Sequence, residues 1–130
     1  METTFNDLVQ QERQRANEKY PHNKDLSKFQ WFCVLAEEVG ELVDALDGLN
    51  DLSSNNGEVR LEAVQVAAMC AAMAEYALGR QLPLNKVCMR GIASYLGEVA
   101  RYLMEENDGE AASFLSRVYL LAREAYLETF

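Results

Sequence analysis

Glu37, Glu38 and Glu41 lie together in the run Ala36-Glu-Glu-Val-Gly-Glu-Leu42. At about 100° per helical residue, Glu38 and Glu41 share a face with Trp31, Val34 and Ala45, beside a row of leucines rather than opposite it. Further along, Glu62 and Gln65 repeat the three-residue spacing where an apolar run begins. Carboxylates held among apolar neighbours are costly unless their charge is neutralised, and Lys and Arg are scarce in both stretches. A hard divalent cation would neutralise them. Magnesium takes oxygen ligands and keeps room in its shell for water and phosphate, and manganese is a possible substitute. The candidate ligands are Glu38, Glu41, Glu62 and Gln65, the last offering a neutral carbonyl oxygen. A lone Glu-x-x-Glu is usually a solvated helix face, so the argument rests on the second pair.

The elements that must position these residues are all helical. Only two prolines and seven glycines interrupt the 130 residues, and no stretch alternates apolar and polar positions long enough for a sheet. A first helix is expected from about Thr4 to Lys19, with Phe5, Leu8 and Val9 inward and a solvated remainder, ending at Tyr20-Pro21. The second runs from about Asp25 to Leu49 on a stripe of Phe32, Leu35, Val39, Leu42, Leu46 and Leu49. A polar loop, Asn50 to Gly57, leads to a third helix from about Glu58 to Leu78 that closes at Gly79. Its stretch from Ala63 to Ala77 is apolar nearly all round, so it should be the most buried helix. A fourth helix beginning near Pro83 carries Cys88, Ile92, Tyr95, Leu96, Val99 and Leu103, and a fifth follows Asn107-Asp108-Gly109. The expected fold is all-α, an antiparallel bundle of about five helices in one domain spanning 1–130. Tyr95 to Leu103 faintly echoes Val34 to Leu42 in texture, as a duplicated helix pair without its acids would.

The net charge of −9, from 21 acidic and 12 basic residues, repels nucleic acid and anionic membranes. Cys33, Cys70 and Cys88 are scattered through apolar helical stretches, so reduced core thiols are expected rather than a disulfide framework. The stretch METTFNDLVQQERQRANEK has no apolar leader core and no run reaches the length of a membrane span, which gives a cytoplasmic protein as the expectation.

Trp31-Phe-Cys-Val-Leu-Ala-Glu-Glu-Val-Gly-Glu-Leu-Val-Asp-Ala-Leu46, a polar loop, and then Arg60-Leu-Glu-Ala-Val-Gln-Val-Ala-Ala68 resemble the MazG-type all-α nucleoside triphosphate pyrophosphohydrolases. The likeness covers roughly residues 20–80 and leaves 82–130 as an additional helical hairpin packed on that core. The family pattern is Glu-Glu-x-x-Glu on one helix and Glu-x-x-Asp on the next. Glu37, Glu38, Glu41 and Glu62 match it, and Gln65 departs from it where the pattern has Asp. The resemblance implies magnesium-dependent hydrolysis of a nucleoside or deoxynucleoside triphosphate to the monophosphate and pyrophosphate, in a homo-oligomer, a dimer being favoured. It implies metal held by Glu38, Glu41 and Glu62, and a proton-accepting role for Glu37 or Glu41. Trp31 and Phe29 could stack on the base, and Lys24, Lys28 and Arg60 could touch phosphates; His22, after Pro21, reads as a surface residue. The alternatives are a non-catalytic relative that binds nucleotide or protein, for which Gln65 speaks, and a structural helical protein without a metal site.

Overall fold

Thr4 opens the first helix through a capping box: its hydroxyl accepts from the Asp7 backbone N–H while the Asp7 carboxylate accepts from the Thr4 N–H. The computed structural model describes residues 4–81, 92–127 and 129–130. Among these there are five helices and no strand: α1 (Phe5–Lys19), α2 (Lys28–Asp51), α3 (Asn56–Tyr76), α4 (Ile92–Met104) and α5 (Asp108–Leu127). Among the described residues no helix is long and apolar enough to cross a membrane.

Both ends of α2 differ from the expected ones for local reasons, and α3 runs two residues earlier at each end than expected. Asn23–Asp25 closes a 3-10 turn, and a second capping box, Ser27 with Gln30, starts α2 at Lys28 rather than at Asp25. At the other end α2 continues to Asp51 and stops at Leu52, which adopts a left-handed conformation (φ 64°). The α2–α3 connection is therefore shorter than the polar loop, and Asn55 caps α3 by accepting from Glu58 N–H. Gly79 (φ +63°) follows α3 as the expected left-handed residue. Pro83 and Cys88, assigned to the start of a fourth helix, lie outside the described residues.

The centre of the bundle is α3, which packs against α1, α2 and α5, while α4 packs on α5 and touches α2. Ten of its residues are buried, including Val59, Ala63, Val66, Ala67, Ala68, Cys70 and Met73. Short alanine side chains let the neighbouring helices approach closely, and the apolar surface removed from water is the main stabilising term. Along α2 the fully buried line is Trp31, Leu35, Val39, Leu42, Ala45 and Gly48, with Phe32, Leu46 and Leu49 on its partly buried shoulder. Gly48 is where the α2–α3 turn comes closest: a Cβ there would lie 2.6 Å from Ser54 Oγ. Cys70 is buried and its thiol pKa is raised by burial, but Cys33 is exposed, contrary to the expectation of three core thiols. Cys33 lies two residues from both Trp31 and Leu35, which puts it on the face of α2 opposite the buried line.

Candidate metal site

The line of buried residues on α2 and the packing of α3 against it decide where the acids point. Glu38 precedes buried Val39, and Glu41 precedes buried Leu42, so both carboxylates emerge along the seam with α3. Glu62 precedes buried Ala63 on α3 and meets them from the other side. One oxygen from each of Glu38, Glu41 and Glu62 lies within 4.8 Å of the other two. Glu38 and Glu62 are half-buried and Glu41 is exposed.

The electrostatics are those of carboxylates without a counter-charge. Burial, followed by the charges of Glu41 and Glu62, pushes the Glu38 carboxyl from its ordinary 4.5 up to about 7. Burial and the adjacent Glu41 carboxyl raise Glu62 likewise to about 7. Among the described residues the ion pairs join Arg13 to Glu75, Arg15 to Glu12, Lys28 to Asp108, Arg101 to Glu98 and, if protonated, His22 to Asp25; none reaches the cluster. With its amide nitrogen turned toward the acids, Gln65 donates to Glu62 Oε2 at 3.1 Å and to Glu38 Oε2 at 3.2 Å. The reverse orientation would set an amide oxygen against carboxylate oxygens, which is tolerable only with a cation between them.

The donor set fits a hard divalent ion. Magnesium–oxygen bonds of about 2.0–2.1 Å place ligand oxygens about 3–4 Å apart around an octahedron, so oxygens within 4.8 Å of one another have to draw together by roughly 1–2 Å to close on an ion. Gln65 can then present its carbonyl as a neutral fourth ligand. The cluster borders a cavity of about 620 Å³ lined by Glu37, Glu38, Gln65 and Met69 on α2 and α3, and by Glu12, Arg15 and Lys19 on α1. That volume is within the range of small-molecule sites.

Glu37, Glu38, Glu41, Glu62 and Gln65 are thus brought to one region, with Glu37 exposed on the cavity wall outside the three-carboxylate cluster. The residues expected to touch substrate are distributed differently. Trp31 lines the cavity but is only 2% exposed, its ring lying 6.1 Å from that of Tyr76. Phe29 is exposed and is not part of the cavity lining. Lys28 pairs with Asp108 at 3.4 Å. Arg60 donates to the hydroxyl and carbonyl of Thr129, each at 2.7 Å, and lies over the Phe130 ring. Lys24 sits over the Tyr76 ring. His22 is exposed, as expected of a surface residue, and also borders the cavity.

The sequence reading missed α1. Glu12, Arg15 and Lys19 belong to the face expected to be solvated, yet with buried Ala16 they form one line at i, i+3, i+4 and i+7 facing the cavity. A small apolar residue among charges at that spacing was the available signal. Compared with known proteins, the chain matches no family model, no curated protein and no solved structure.

Proposed function

We propose that the protein is a magnesium-dependent nucleoside triphosphate pyrophosphohydrolase that converts a (deoxy)nucleoside triphosphate and water to the monophosphate and pyrophosphate. The observation that carries the reading is the convergence of Glu38, Glu41 and Glu62 with no ion pair to them among the described residues, beside a cavity large enough for a nucleotide. The MazG-like run from Trp31 to Ala68 supplies the reaction class.

Glu38, Glu41 and Glu62 would hold the ion, with Gln65 Oε1 as the neutral ligand. The ion supplies charge neutralisation for the phosphate oxygens and acidifies a water. Glu37, on the cavity wall and outside the ligand cluster, accepts the proton of the attacking water. Water attack on phosphorus breaks one phosphoanhydride bond, and pyrophosphate leaves with the electron pair of that bond. Glu41 is then a ligand rather than the base. The apolar end of the cavity, formed by Leu26, Trp31 and Met69, is the side that would exclude water from the nucleoside. The dimer and the cytoplasmic location belong to the same reading.

One observation favours a second reading, a non-catalytic nucleotide-binding relative. Gln65 satisfies Glu38 and Glu62 by donating to both, so the cluster has partners without any ion. Turnover separates the two. A screen of the nucleoside and deoxynucleoside triphosphates with magnesium should show pyrophosphate release with at least one of them, abolished in Glu62→Gln. Binding of a triphosphate without release from any of them would leave the binding module standing and remove the enzyme.

A further inference from the structure

The cavity has a cationic wall that the chemistry above leaves unused. Arg15 and Lys19 stand one helical turn apart on α1 and both line it. The Arg15 guanidinium is placed by Glu12, which accepts from its Nε at 2.8 Å and from one terminal nitrogen at 2.6 Å. Among the described residues this fork leaves the other terminal nitrogen without a hydrogen bond, on a side chain that is 52% exposed. Lys19 lies over the Tyr20 ring and, among the described residues, is in no ion pair. The Arg15 pKa is raised first by its hydrogen bond to Glu12 and by that carboxylate's charge, and last by the charge of Glu38.

An independent observation marks the cavity as shaped for a ligand. Trp31 is 2% exposed and, among the described residues, its indole Nε1 has no hydrogen-bond partner and neither has the buried Asn23 Oδ1; both residues line the same cavity. A buried donor and a buried acceptor left unpaired are each unfavourable until something pairs with them.

We propose that Arg15 and Lys19 form the anion-binding arm of this cavity. They contact oxygens of a polyphosphate chain whose remaining oxygens lie over Glu38, Glu41 and Glu62. The inference rests on reading that cluster as a metal site and adds the residues that would select a run of linked phosphates over a single one. A ligand engaging both walls must carry negative oxygens along its length. Glu12, Glu37 and Glu38 line the same cavity, so the two cations favour an anion only together with the cation held at the carboxylate cluster.

The test titrates inorganic tripolyphosphate, with manganese present, into the parent, Arg15→Gln, Lys19→Gln and the double variant by calorimetry. Melting with manganese alone is followed in parallel. Each single variant should weaken tripolyphosphate binding about five- to tenfold, as expected for one charge-assisted hydrogen bond, and the double variant more. The manganese-induced rise in melting temperature should persist in all of them. Orthophosphate should bind the parent more weakly than tripolyphosphate and respond less to the double substitution. A double variant that binds tripolyphosphate as tightly as the parent overturns the proposal, and so does a parent that does not bind it. If the parent fails to respond to manganese and Glu62→Gln changes nothing, it is the metal reading that fails. The arginine and lysine comparison then stands by itself in metal-free titrations.

Discussion

Replacing Glu38 by Gln removes one of three negative charges whose oxygens lie within 4.8 Å of one another. Two unit charges at that separation repel by about 1 kcal/mol in water and about 3.5 kcal/mol at an effective dielectric near 20. Glu38 is half-buried and Glu41 exposed, so solvent screening places the net relief at the lower end, on the order of 1–2 kcal/mol. The sign follows from the protons. Glu38 and Glu62 keep theirs up to about pH 7 in the folded protein against an ordinary value of 4.5. Between those two values the folded state binds more protons than the unfolded one. Stability therefore falls as pH rises through the window and is lowest above it. Urea unfolding of the parent and Glu38→Gln, both with chelator, should show the variant more stable by about 1–2 kcal/mol at pH 8 and by less than about half of that at pH 5. Gln65 can pair with an amide in either orientation, so the substitution leaves no orphan there. With manganese the order should reverse, because the parent gains a ligand that the variant holds poorly. A variant that is less stable than the parent at pH 8 without metal, or equally favoured at both pH values, would refute the like-charge account.

Gln65→Asp should raise metal affinity by on the order of 1–3 kcal/mol through one added charge, and should destabilise the metal-free protein because two donated hydrogen bonds become a fourth repulsion. Manganese titration and chelator-treated unfolding read the two effects separately, and unchanged metal binding would make Gln65 a structural amide. Gly48→Ala should destabilise by about 1–2 kcal/mol although alanine favours a helix, since the new Cβ meets Ser54 Oγ at 2.6 Å; urea unfolding measures it. A thiol reagent should label Cys33 in the folded protein within minutes and Cys70 only on unfolding, as judged by peptide mass mapping of the labelled sites.

How far the sequence could be read depended on whether a feature was local. Helical spacing of Leu35, Val39 and Leu42 and the apolar run after Ala63 were enough to place α2 and α3 and to make α3 central. The i, i+3 acids follow from the same spacing, and their meeting with Glu62 needed only the short turn between the helices. The start of α2 was misplaced because Asp25 and Ser27 are both plausible caps, and the Gln30 side chain that completes the box decides between them. Features made by distant pairs were not legible. Lys28 and Arg60 flank the acidic motifs in sequence, but their partners Asp108 and Thr129 lie 80 and 69 residues away. The α1 wall of the cavity is of the same kind, since nothing near Arg15 in the chain says that Glu38 will face it.

The measurement closest to the central claim is a manganese titration followed by electron paramagnetic resonance, in the presence of a non-hydrolysable nucleoside triphosphate, on the parent and on Glu62→Gln. The account predicts that the parent removes manganese from the free-ion signal with saturation, that Glu62→Gln loses about tenfold or more in affinity, and that both proteins remain folded. Equal manganese binding by the parent and Glu62→Gln, or none by the parent with nucleotide present, would contradict it.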